Sequence, residues 1–134
     1  MNRPIHFELN SPDPARAQAF FESVFGWQFR EWSTDPPYWI ITTNETDAAG
    51  EPIDAQGING GLIKSRDDKA RTVNTIAVHS IDQTLRDVEG AGGEIVKGKM
   101  PIPGLGYLAF CKDPTGLIFG VVEEDATVAA HEHD

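Results

Sequence analysis

Alternating apolar and polar residues near the start of the chain predict a β-strand. Ile5, Phe7 and Leu9 are separated by the polar residues His6 and Glu8. A period of two is typical of a strand with one apolar and one polar face. His6 and Glu8 are therefore expected to share the face that is turned away from the apolar side chains.

A helix is predicted directly after this strand. Asp13 is a suitable N-cap, and Pro14 suits the first helical position because that position needs no N–H donor. Gly26 is expected to end the helix, since glycine readily adopts the left-handed conformation of that position. Apolar residues at helical spacing form one stripe: Ala17, Phe20, Phe21, Val24 and Phe25.

Aromatic and β-branched residues predict three more strands in the first half of the chain. These strands cover residues 27–32, 38–43 and 58–65. The polar segment 44–56 is predicted to be an exposed loop, and the charged segment 66–71 is predicted to connect two halves.

The same pattern then starts again. A strand is predicted over 73–79, and Ser80 with Gln83 resembles a capping box that begins a short helix. Glycines at 92 and 93 are expected to stop this helix. The remaining strands are predicted over 94–97, 107–112 and 117–123, with a proline-rich loop over 100–104.

The order of elements is therefore βαβββ followed by βαβββ, which predicts the α+β fold class. One domain is expected over 1–124, with modules at about 3–65 and 72–124. Neither half has enough strands and helices to bury its sheet alone. Residues 125–134 have no periodic apolar face and predict a flexible acidic tail.

Charge and composition narrow the range of partners. The net charge of −10 disfavours binding to nucleic acid or to an anionic membrane. The chain has no apolar run long enough to span a bilayer, and from its first residues we expect no secretory signal. Its single cysteine, Cys111, excludes an intramolecular disulfide, which agrees with an expected cytoplasmic location.

Three stretches resemble the vicinal oxygen chelate superfamily, which includes glyoxalase I, bleomycin-resistance proteins and extradiol dioxygenases. The first joins the strand at 5–8 to the helix that ends in Phe25-Gly26-Trp27. The second joins the strand at 75–78 to the glycines at 92 and 93, and the third is the Asp-Pro-Thr-Gly turn at 113–116 before a last strand. The resemblance implies two βαβββ modules forming a curved, open mixed sheet around a cleft, and it implies a homodimer.

Metal-using members of this superfamily hold a divalent ion with one residue from the first strand and one from the last strand of each half. The matching positions here are His6, Thr75, Gly120 and, in the first half, Gly60 or Gly61. One histidine is too few for a catalytic zinc or non-haem iron site. We therefore expect no metal and no other cofactor, although altered ligands, such as His79 with His6 and Glu8, remain an alternative.

The small residues at these positions would leave space for an organic ligand in the cleft. We predict a small-molecule-binding protein that binds or sequesters an aromatic or drug-like ligand without metal. The alternative is a glyoxalase-like lyase or isomerase that uses His6 and Glu8 as acid and base. The predicted ligand-binding residues are His6, Glu8, Tyr38, Trp39, Thr75, Tyr107 and Gly120.

Overall fold

The computed structural model describes residues 1–35, 37–43 and 57–128. Its strands are β1 (Arg3–Ser11), β2 (Gln28–Thr34), β3 (Pro37–Thr42), β4 (Asn59–Lys64), β5 (Arg71–Ala77), β6 (Glu94–Ile102), β7 (Gly106–Lys112) and β8 (Ile118–Glu124), and its helices are α1 (Pro14–Phe25) and α2 (Ile81–Gly90). The predicted order of βαβββ and βαβββ is confirmed. The predicted loop at 44–56 lies outside the described residues.

The chain divides into two compact units. The first module comprises His6–Val73, and the second comprises Met1–Ile5 together with Asn74–Asp134. Within the first module the strands follow the order β2-β3-β4-β1, and within the second they follow β6-β7-β8-β5. In each module the first strand pairs in parallel with the last, while the other pairs are antiparallel. The predicted α+β class with a mixed sheet is therefore confirmed, and so is the internal repeat.

Both ends of α1 follow the sequence prediction. The Asp13 carboxylate accepts a hydrogen bond from the Arg16 backbone N–H at 3.3 Å. Gly26 has a φ of 71° and donates its N–H to the Glu22 carbonyl at 3.0 Å. Only glycine adopts such a conformation without a steric penalty, which explains why the helix ends there.

The apolar stripe of α1 is wider than the surface that covers it. Phe21 stacks on Trp27, with ring centroids 4.9 Å apart, and Trp27 also contacts Phe7 of β1. Phe20 and Val24, by contrast, remain exposed. Phe20 and Phe21 differ by about 100° around a helix, so one sheet face cannot cover both. The stripe is therefore only partly covered, with Phe21 packed and Phe20 and Val24 exposed.

The second helix begins with only half of the predicted capping box. The Ser80 hydroxyl accepts from the Gln83 backbone N–H at 3.1 Å, but the Gln83 amide donates to Asp87 at 2.9 Å. A carboxylate from β8 supplies another cap, because the Ile81 N–H donates to Glu123 at 3.0 Å. Beneath α2 lies the core of the second module: Val78, Ile81, Ala109, Cys111 and Val121.

One predicted loop is in fact strand. Residues 100–102 belong to β6 and pair with β7, including Pro101 opposite Tyr107. A proline is tolerated there because β6 is the last strand in its module and needs no ladder donor on its outer side. The irregular register between Ile95 and Met100 interrupted the alternation on which the prediction depended.

The start of the predicted tail makes specific contacts. Val128 is buried, and its carbonyl accepts from the Gly104 N–H at 2.9 Å. Residues 129–134 lie outside the described part of the chain. Within the described residues, neither helix is long and apolar enough to cross a membrane.

The Glu123 cap leads to a prediction about stability. Replacing Glu123 with Ala removes an acceptor and a negative charge from the N-terminus of α2. We expect the free energy of unfolding to fall by about 1 kcal/mol, the usual scale for a lost helix cap. Urea denaturation measures this change. Glu124→Ala, at the exposed neighbouring position, is the control, and an equal loss in both variants would contradict the capping role.

Candidate functional site

The first module presents a row of polar side chains on one side of its sheet. Phe7 contacts Trp27, which packs on α1, so the Phe7 side of β1 is the helix side. Because side chains alternate along a strand, His6, Glu8 and Asn10 project from the opposite side. We call this side the polar face. It includes the residues of β3 and β4 that share its alternation, among them Tyr38 and Gly61.

A hydrogen bond between Tyr38 and Glu8 is the central feature of the polar face. Glu8 lies beside Gly61 in the β1–β4 register, and Tyr38 comes from β3 on the far side of β4. A Cβ atom placed on Gly61 would overlap the Tyr38 hydroxyl oxygen. The missing side chain at Gly61 therefore provides the path by which Tyr38 reaches across β4 to Glu8.

Burial makes the charged forms of these groups unfavourable. It raises the pKa of the Glu8 carboxyl, although the hydrogen bond from Tyr38 acts in the opposite direction. Burial also raises the pKa of Tyr38, and the negative charge and hydrogen bond of Glu8 raise it further. The pKa of His6 is lowered, again by burial. The polar face thus carries a carboxyl that resists ionisation beside an imidazole that resists protonation.

His6 lies next to Asn59 of β4 and is separated from Glu8 by one residue of the strand. Two residues of strand correspond to about 6.6 Å, so both side chains are within reach of one small ligand. Asn59 accepts from the Thr43 N–H at 2.8 Å, which holds the end of β3 against β4. His6 and Glu8, which the sequence analysis placed on one face, are therefore neighbours in the structure.

The other predicted residues of the first module do not all join this row. Trp39 follows Tyr38 in β3 and pairs with Leu62, so its side chain projects from the helix side. A cavity of about 360 Å³ lies between β1 and α1, and Leu9, Asn10 and Phe21 contribute to its lining. Neither Glu8 nor Tyr38 lines this cavity.

In the second module, Thr75 and Gly120 are partners in the β5–β8 register. Thr75 is buried, and a Cβ placed on Gly120 would lie 3.0 Å from its hydroxyl oxygen. The same Cβ would lie 3.4 Å from the ring of Phe110, so Phe110 takes part of the space that the glycine leaves. Tyr107 projects from the other side, where it packs against the core beneath α2.

The residues at the family's metal-binding positions do not fit a divalent ion. Thr75 offers only a neutral hydroxyl, and Gly120 offers no side chain, with Phe110 beside it. In the first half, Gly61 also lacks a donor, and the Tyr38 hydroxyl lies over it. Glu123, the nearest carboxylate in β8, caps α2. Among residues 1–35, 37–43 and 57–128, no three His, Cys, Asp or Glu side chains come together as a possible metal site.

Sequence reasoning identified His6, Glu8 and Tyr38 but did not pair Tyr38 with Glu8. The pairing depends on the register between β3 and β4, which a single sequence does not reveal. The signal that pointed towards it was the Gly60-Gly61 pair, which indicated a close approach within a strand. The sequence analysis did not select Asn10, because an asparagine near the end of a strand carries no chemical signal by itself.

The Tyr38–Glu8 bond can be tested through the pKa of Glu8. Tyr38→Phe removes the hydrogen bond that favours the carboxylate, so we expect the pKa of Glu8 to rise further. Gly61→Ala is expected to raise it in the same direction, because the new methyl group displaces the Tyr38 hydroxyl. Carbon-detected NMR titration of the side-chain carboxyl measures both.

The matched control is Tyr107→Phe, which removes a tyrosine hydroxyl that does not bond to Glu8. It should leave the titration of Glu8 unchanged. A Glu8 titration that is the same in wild type and Tyr38→Phe would contradict the hydrogen bond.

Comparison with known proteins gives relatives in sequence and in structure. Two curated relatives are the anthracycline biosynthesis proteins DauV from Streptomyces sp. (strain C5) and DnrV from Streptomyces peucetius, which are 30% and 31% identical over 126 residues. Each match covers 88% of this chain and 46% of the relative. The chain therefore spans about half the length of these relatives.

Solved structures agree in fold at low sequence identity. The methylmalonyl-CoA epimerase from Mycobacterium tuberculosis matches with a TM-score of 0.63 and 13% identity, covering 91% of this chain and 87% of the epimerase. A variant of the Streptomyces coelicolor epimerase, in complex with 2-nitronate-propionyl-CoA, matches with a TM-score of 0.65 and 13% identity, covering 94% and 99%.

The sequence profile of one family matches nearly the whole described chain, over residues 3–121. This match agrees with the repeated βαβββ order and with the folds of the epimerases. The chain belongs to the Glyoxalase/Bleomycin resistance protein/Dioxygenase superfamily.

Proposed function

We propose that this chain binds a planar, aromatic or drug-like small molecule on the polar face without using a metal ion. The observation that carries the proposal is the Tyr38–Glu8 hydrogen bond across Gly61. It holds two polar groups in a partly buried position and lets them hydrogen-bond to a ligand. Binding sites for organic molecules usually combine a few oriented polar groups with apolar surface.

The surroundings of this pair support an aromatic ligand. Ile40 lies beside Gly61 and Ile63 lies beside Tyr38 in the β3–β4 register, so apolar side chains flank the polar pair. The names of DauV and DnrV also support an aromatic ligand, because anthracyclines are built on fused planar rings.

Metal independence is part of the proposal. The side chains at the matching positions support metal independence. Metal-using relatives place ligands at the positions of Thr75, Gly120 and Gly61, and none of these three residues offers an ionisable or imidazole donor. Thr75 stays a predicted contact of the ligand, whereas Trp39 and Tyr107 project from the helix sides of their modules, away from the polar face. Assembly into a homodimer and a cytoplasmic location also stay predictions.

Binding can be measured with anthraquinone sulfonate, a soluble planar probe, by quenching of tryptophan fluorescence. We expect wild type to bind in the micromolar range and EDTA to leave the affinity unchanged. Tyr38→Phe and Glu8→Gln are each expected to weaken binding roughly tenfold, which corresponds to about 1.4 kcal/mol, the scale of one hydrogen bond to a ligand.

Glu22→Gln is the control, since Glu22 is exposed on α1. It should leave the affinity unchanged. A wild type that does not bind planar probes would overturn the proposed function, and loss of binding in EDTA would overturn its metal independence.

A second candidate function is proton transfer, in a lyase or isomerase, with His6 as base and Glu8 as acid. The observation that favours it is the opposite direction of the two pKa shifts, which keeps His6 neutral and Glu8 able to hold a proton. A neutral imidazole accepts a proton from a carbon next to a carbonyl, and the carboxyl of Glu8 donates one to the carbonyl oxygen.

This second function predicts exchange of a proton on the carbon next to the carbonyl of an arylacetyl ester or thioester with deuterium from the solvent. Because the pKa of His6 lies below its usual value, exchange should be lost only as pH falls below about 6.5, the ordinary histidine pKa. His6→Ala should abolish exchange but keep binding, whereas His79→Ala, at an exposed position, should change neither. Equal exchange rates in wild type and His6→Ala would exclude the catalytic role.

A further inference from the structure

Two buried polar atoms of the first module have no hydrogen-bond partner among the described residues. They are the Asn10 side-chain nitrogen, Nδ2, and the Ser65 hydroxyl oxygen. Ser65 as a whole is only 3% exposed. Nearly all buried polar groups in folded proteins are satisfied, so two unsatisfied groups in one module call for an explanation.

Both groups belong to the polar face. Asn10 follows Glu8 by two residues in β1 and therefore projects from the same side. Ser65 follows Gly61 and Ile63 at the same alternation, and its N–H continues the β1–β4 ladder by donating to the Ser11 carbonyl at 2.9 Å. The two unsatisfied groups thus lie at the end of the row that begins with His6 and Glu8.

The positions of Asn10 and Ser65 allow both side chains to hydrogen-bond to the same atom of a ligand. Asn10 is the register partner of Ile63, and Ser65 is two residues further along. The two side chains are therefore diagonal neighbours on adjacent strands, about 8 Å apart at the backbone, given a strand spacing of about 4.8 Å and a rise of about 3.3 Å per residue. An atom between them can receive a hydrogen bond from each, whereas the two side chains do not bond to each other.

The chemistry of these groups defines what the partner must offer. An amide nitrogen only donates hydrogen bonds, and a hydroxyl both donates and accepts. A carbonyl or quinone oxygen has two lone pairs and can accept from both groups at once. A buried polar group without a partner costs free energy, so a ligand that supplies the oxygen gains from bonding to both groups.

We infer that Asn10 and Ser65 form a subsite for a carbonyl or quinone oxygen of the ligand. The inference rests on the proposed function and adds to it the ligand's chemical class, a fused-ring ketone or quinone. Glu8 and Asn10 are separated by about 7 Å along β1, so one such ring system spans both the Tyr38–Glu8 pair and the subsite. Solvent does not reach the two atoms in the unliganded structure, and binding therefore requires neighbouring side chains to move.

Stability measurements separate a ligand subsite from a structural role. Ser65→Ala removes a hydroxyl that makes no hydrogen bond, so we expect the melting temperature of the unliganded protein to stay the same or to rise. A drop of several degrees would overturn the inference, because it would mean that the hydroxyl stabilises the fold. Ser23→Ala, at an exposed position on α1, is the matched control.

Binding measurements use two probes with the same ring frame. Anthraquinone sulfonate carries the carbonyl oxygens, and anthracene sulfonate lacks them. Wild type should bind the quinone roughly tenfold more tightly, the factor expected for about one net hydrogen bond. Ser65→Ala and Asn10→Ala should each bring the two affinities close together, while the affinity for anthracene sulfonate changes little.

The outcomes distinguish this inference from the function on which it rests. If wild type binds the quinone and both variants keep the full preference for it, the subsite is wrong and the proposed function stands. If wild type binds neither probe, both the proposed function and the subsite are wrong. A preference that collapses in both variants, but not in Ser23→Ala, would support the subsite.

Discussion

The rest of this structure depends on one constraint, the alternation of side chains along a strand. Where a helix covers one side of the strand, every second side chain must project from the other side. In the first module, Phe7 packs towards α1 through Trp27. His6, Glu8 and Asn10 must then project from the other side, because side chains in a strand have a period of exactly two residues. A shift of one residue in the β1–β4 register would turn these polar groups into the core.

The Tyr38–Glu8 pair is a local exception to the preference of carboxylates for water. Its burial opposes ionisation of Glu8, and the Tyr38 hydroxyl compensates only in part. Such an arrangement is less favourable for stability than an apolar pair would be, and functional sites commonly keep groups of this kind. Asn10 and Ser65, whose buried polar atoms have no partner in the described part of the chain, lie on the same face as this pair.

The two modules share their topology but not their chemistry. Thr75 of β5, which pairs with Gly120 of β8, corresponds in the repeat to His6 of β1, which pairs with Asn59 of β4. Each of these last strands carries a glycine on the face opposite its helix, Gly61 in β4 and Gly120 in β8. In the first module, the space over the glycine is crossed by a tyrosine that bonds to a carboxylate. In the second, the ring of Phe110 lies beside the glycine, and a threonine hydroxyl is its neighbour. Ligand binding through polar side chains is therefore expected mainly in the first module.

The sequence alone determined the order of elements, both ends of α1 and the common face of His6 and Glu8, because these features depend on contacts between residues close along the chain. It misplaced residues 100–102, where an irregular edge strand breaks the alternation. Only the tertiary structure decided that Tyr38 reaches Glu8 and that Trp39 and Tyr107 project towards helices. It also decided that the buried polar atoms of Asn10 and Ser65 have no hydrogen-bond partner among the residues that the structure describes. Those relations join residues tens of positions apart, and they depend on strand register and on the shape of the space over a glycine, which local patterns do not encode.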